Sequence, residues 1–100
     1  QALGSASLEW SDIFLADGAV INFGNDQDIN LTHVADTGLT TNGTLQATVV
    51  RATAAIYENA TTIAANYTIT SSNNAMSAGP ITINSGISVT VPSGSSWAII

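Results

Sequence analysis

The sequence predicts an all-β chain, a short-stranded β-prism or β-solenoid-like arrangement whose apolar end is covered by copies of itself or by its own coils. Three observations lead there. Short runs of alternating Ile, Val and Thr are cut by Asn, Ser, Gly and Pro along most of the chain. Hydrophobic residues make up 45% of the 100 residues but charged residues only 8%, against roughly 25% in ordinary soluble domains. There is no cysteine, so a chain too short for a large core has no disulfide to stiffen it, and oligomerisation is the remaining means.

The elements follow in order. In Ser7–Ala16, "SLEWSDIFLA", Leu8, Trp10, Asp12 and Phe14 share one parity and Ile13 and Leu15 the other. Asp17-Gly18 is a turn signal, and "AVINF" (Ala19–Phe23) reads as the next strand. "DINLTHVA" (Asp28–Ala35) places Ile29, Leu31, His33 and Ala35 on one face. Asp36-Thr37-Gly38 and Asn42-Gly43 then break the chain. Residues 45–65 support two readings. Leu45, Val49, Ala52, Ile56 and Ile63 give a weak heptad, whereas Thr44, Thr48, Thr53, Thr61 and Thr62 favour extended structure. The extended connection is preferred.

The last third, residues 66–100, reads as a ladder: "YTIT", "ITI", "ISVTV" and "WAI" between Asn/Ser/Gly turns. Ser85-Gly86 and Pro92-Ser93-Gly94 turn the chain. Alternation assigns Ile81, Ile83, Val89, Val91 and Trp97 to an inward face, with Ile99 and Ile100 against neighbouring chains. The expected organisation is an N-terminal β module (1–44), a connection (45–65) and a terminal prism or solenoid (66–100).

Charge narrows the function classes. Arg51 is the only fixed cation against seven carboxylates, and the net charge is −6. A nucleic-acid partner needs a basic footprint, and an anionic membrane surface repels this chain. No apolar run approaches a membrane span, so no membrane insertion is expected. Gln1–Ala6 has neither a basic start nor a long apolar stretch. No signal peptide is read there, and the chain reads as a piece of something longer.

Chemistry has few residues to use. His33 is the only histidine and is read as packed or between subunits, not catalytic. Asp26, Asp28 and Asn30 begin like a calcium loop, but Leu31 stands where that loop needs glycine, so a solvated turn is expected. Glu9 with Asp12, or Asp26 with Asp28, are read as surface carboxylates. The four Asn-X-Ser/Thr sequons at Asn30, Asn42, Asn59 and Asn66 are what chance gives in so Asn- and Thr-rich a chain. Trp10 and Trp97 are assigned to packing ahead of sugar stacking. The expected core and interface residues are Trp10, Phe14, Ile29, Leu31, His33, Ile81, Ile83, Val89, Val91 and Trp97. No catalytic residue, metal or cofactor is expected.

Two stretches carry a resemblance. "LGSASLEWSDIFLADGAVINFGNDQDINLTHVADTGL" (Leu3–Leu39) resembles a module of large structural proteins of marine tailed phages. "NYTITSSNNAMSAGPITINSGISVTVPSGSSWAII" (Asn66–Ile100) resembles the C-terminal module that closes phage tail-fibre and similar virion proteins. The resemblance implies an intertwined homotrimer, a virion or extracellular location, and a structural, non-enzymatic shaft or tip. It also implies a surface for a host glycan or protein. The rival expectations are a prokaryotic extracellular filament subunit and a fragment of a polysaccharide-degrading tailspike.

Overall fold

The computed structural model describes residues 1–100; its regular structure is all strand, with no helix. The chain divides into two compact units, Gln1–Val49 and Val50–Ile100.

The first unit is an antiparallel meander of β1 (Val20–Phe23), β2 (Ile29–Val34) and β3 (Gly38–Thr41) in sequence order. Ile21 faces Leu31, Leu31 faces Thr41, and His33 faces Leu39. Period-two alternation therefore puts Ile21, Leu31, His33 and Leu39 on one face. The strands stay in register because the turns are fixed locally. Gly24 has φ of +85°, and a Cβ there would sit 2.9 Å from Asp28 Oδ1, so the β1–β2 turn requires glycine. Asn42 extends the pairing beyond β3. Its Oδ1 accepts from Asn30 N–H at 2.9 Å and its Nδ2 donates to the Asp28 carbonyl at 2.8 Å.

Ser7–Ala16 joins no sheet; its one pairing is an isolated bridge from Leu8 back to Ser5. Its alternation is used all the same. Ile13 and Leu15 line the hollow beside the meander. Trp10 and Phe14 do not line it, and all four stay exposed, Ile13 at 63%, Leu15 at 59%, Trp10 at 54% and Phe14 at 92%. Within one chain, neither Trp10 nor Phe14 is core.

The second unit has six strands of two or three residues: β4 (Thr62–Ile63), β5 (Tyr67–Thr68), β6 (Ala75–Ser77), β7 (Thr82–Ile83), β8 (Val89–Thr90) and β9 (Trp97–Ile99). Each of the first three pairs in parallel with the strand three places later. Ile63 faces Ile83, Tyr67 faces Val89, and Ala75 faces Trp97. Two successive circuits of chain thus lie edge to edge. The offset changes from twenty residues at the first pair to twenty-two at the others. The cause is one corner: Ala64–Asn66 spans it in the first circuit, Asn84–Ser88 in the second. The extra length is the Asn84–Ile87 turn, closed by an Ile87 N–H to Asn84 carbonyl bond of 3.0 Å. No helical turn forms in residues 45–65, and Thr62–Ile63 pairs as a strand, so the heptad spacing is not used.

The next corner is built alike in both circuits. Asn73 N–H bonds the Thr70 carbonyl and Ser95 N–H bonds the Pro92 carbonyl. The third turn residue is left-handed in each: Ser72 at φ +69° and Gly94 at +85°. A Cβ at Gly94 would meet nothing within 4 Å, so only backbone strain opposes a side chain there. Gly94→Ala is expected to destabilise the unit by about 1–2 kcal/mol, while Ser72→Gly removes strain and leaves the melting temperature level or raised. Thermal unfolding followed by circular dichroism checks both; equal shifts would contradict this account.

Candidate functional site

Polar chemistry in the first unit centres on His33. Its Nδ1 accepts the Gly18 N–H at 3.1 Å, which places the ring proton on Nε2. Asp17 Oδ1 stands 3.8 Å from the same nitrogen, and the imidazole is 36% exposed. His33 shares its hollow of about 310 Å3 with Leu31, Ile21 and Leu39. It is a half-buried side chain that fixes the Asp17-Gly18 turn. Asp26 and Asp28 both bend toward Gly24. No three His, Asp or Glu side chains come together as metal ligands would.

The second unit presents a surface of another kind. In a parallel ladder each residue sends its N–H and C=O to one side, and neighbours alternate. Ile63, Tyr67 and Ala75 point at the second circuit, through bonds of Ile63 O with Asn84 N, Tyr67 N with Ser88 O, and Ala75 N with Ser96 O. Thr62, Thr68 and Met76 therefore point away, at a free edge. By the same alternation Ile83, Val89 and Trp97 turn their backbone groups to the opposite free edge.

Two asparagines hold the circuits together, and a third covers an edge. Asn66 Oδ1 accepts from Ser88 N–H at 2.9 Å, and Asn74 Oδ1 accepts from Ser96 N–H at 2.9 Å. Each stands immediately before a first-circuit strand and reaches the residue immediately before its partner. Asn59 imitates a strand. Its Oδ1 accepts the Ala78 N–H at 2.8 Å and its Nδ2 donates to the Ala78 carbonyl at 3.0 Å. It covers one corner of the lower edge.

Between the circuits, Trp97 lies over the small Ala75, and its Nε1–H donates to Ser77 Oγ at 2.9 Å. Beside it opens a cavity of about 500 Å3, lined mostly by first-circuit residues including Ile63, Tyr67 and Ile69. Ile69 is the one buried apolar side chain. Of the residues assigned inward, Ile81, Val89 and Trp97 are half-buried, while Ile83 and Val91 remain exposed at 44% and 42%. In the meander Leu31 and His33 are half-buried and Ile29 is exposed. The alternation did not single out Ile69 or the three asparagines. Asn66 and Ser88, like Asn74 and Ser96, lie 22 residues apart, the offset of the strand pairs that follow them.

The chain exposes 8666 Å2. A compact monomer of this mass exposes about 5,300 Å2, and two separate half-size globules about 6,400 Å2. Twenty-three large hydrophobic side chains are among what is exposed. Comparison with family models, curated proteins and solved structures finds no match.

The asparagine geometry discriminates between substitutions. Asn66→Asp keeps the acceptor and is expected to be tolerated, whereas Asn66→Ala costs about 1 kcal/mol. Asn59→Asp loses the donor and sets a carboxylate against the Ala78 carbonyl, at a cost of about 1–2 kcal/mol. Chemical denaturation of the three variants ranks them; equal midpoints for the two aspartate variants would refute the assignment.

Proposed function

We propose that this chain is a structural fibre module of a virion, a tail-fibre shaft or tip, built from three copies of itself. In this reading Val50–Ile100 forms two circuits of a short β-solenoid, and the module carries load or presents a host-recognition surface without performing catalysis. The observation that carries the structural part is the stacked parallel pairing of two- and three-residue strands around an interior with one buried side chain. Such strands bury too little to stand alone, and standard protein interfaces bury roughly 1,600 Å2 in total. The exposed large hydrophobic side chains, Trp10, Phe14 and Leu39 among them, offer apolar surface for such contacts. The virion location and the number three rest on the resemblance of Leu3–Leu39 and Asn66–Ile100 to phage structural modules.

Charge supports an assembly held by apolar contact. From Asn59 to Ile100 there is no Asp, Glu, Lys, Arg or His. Hydrophobic association strengthens with kosmotropic salt, whereas ion pairs are screened by it. Light scattering coupled to gel filtration is expected to give a multiple of the chain mass, three for a trimer, unchanged from low salt to molar sodium sulfate. A stable monomer at micromolar concentration would overturn the reading, and dissociation by salt would overturn its apolar basis.

A further inference from the structure

The two free edges of the second unit match one another. Resting on the stacked-circuit reading above, we propose that copies of this chain add end to end. The edge of Ile83, Val89 and Trp97 in one copy pairs with the edge of Thr62, Thr68 and Met76 in the next. The occupant of each edge is a second copy of the chain.

Four observations support this. The strand order of the second circuit repeats that of the first, so an incoming first circuit meets the second in the register already used within the chain. Ile63 of the incoming copy would stand over Ile83, and Ala75 over Trp97. That arrangement continues the small-on-large alternation in which the indole lies over Ala75. Neither edge is guarded. Exposed strand edges are ordinarily protected by charges or by a covering segment. Here no charged residue occurs from Asn59 onward, and the entering segment covers only Ala78, through Asn59. The cavity of about 500 Å3 opens among first-circuit residues, whereas finished interiors hold few voids larger than a water molecule. A second circuit laid across it would close it. Because the two edges differ, the contact is heterologous and does not close on itself, so it yields a filament.

The experiment uses two full-length single-cysteine variants, Thr62→Cys and Thr82→Cys, in a chain that has no other cysteine. Thr62 and Thr82 are register partners within the chain, so each variant alone lacks its partner thiol. Neighbouring strands lie about 4.8 Å apart, within disulfide reach. On mild oxidation of the mixture, the 62–82 disulfide is expected to dominate over both homodisulfides. Introducing Thr68→Pro is expected to abolish it while the circular dichroism spectrum is kept, because the Thr68 N–H serves only the free edge. Homodisulfides in equal measure, no disulfide, or a mixed disulfide that survives in folded Thr68→Pro protein would each overturn end-to-end pairing. Light scattering on the same samples separates the two proposals: a trimer without the mixed disulfide leaves the fibre module standing, and a monomer removes both.

Discussion

The parallel backbone ladder between successive circuits is the constraint on which Val50–Ile100 depends. Strands of two or three residues have no stability as isolated pairs. They persist because three such pairs are held at once by a single path of chain, each correcting the register of the next. The corners keep that path in step. The Asn84–Ile87 turn absorbs two additional residues, and the left-handed residues Ser72 and Gly94 return the chain at matching places. Asn66 and Asn74 satisfy N–H groups just ahead of the second-circuit strands, where the ladder has not yet begun.

A ladder of two circuits has two outer edges, and little in this chain seals them. An ordinary domain ends its stack with charge, proline or a covering helix. This one ends on Thr, Met, Ile, Val and Trp backbone groups, with an asparagine side chain at one corner. The same economy governs the interior. Ile69 is buried, but Ile63, Ile81, Ile87, Val89 and Trp97 are only half covered. Little apolar surface is removed from water inside one chain, and the proposed contacts between copies would bury more of it. The net charge of −6 is carried entirely by residues before Asn59, so the edges of the second unit contribute no charge of their own.

Much of the local structure was legible in the sequence. The Asp17-Gly18, Ser85-Gly86 and Pro92–Gly94 turns, the β2 face carrying Leu31 and His33, and the choice of strand over heptad in Thr62–Ile63 each follow from residue types with strong local preferences. The Ser7–Ala16 run was not legible in the same way. Its alternation is real, but no strand pairs with it, and the residues that line the meander's hollow are Ile13 and Leu15, not Trp10 and Phe14, with all four left exposed within one chain. Residue size favours the aromatics as core, and only the position of the meander decides which parity faces it.

The sequence by itself determined the strand class, the turn positions and the near-absence of charge, because turn chemistry, β-propensity and charge count act over a few residues or none. The tertiary structure alone decided which strands pair. Parallel partners lie twenty and twenty-two residues apart, and a changing offset leaves no fixed period to read along the chain. It also decided that Asn66 and Asn74 reach backbone groups of the other circuit and that Asn59 reaches those of Ala78. An asparagine's role depends on what stands within 3 Å of its amide, and that neighbour is brought there by the ladder, not by the adjoining sequence.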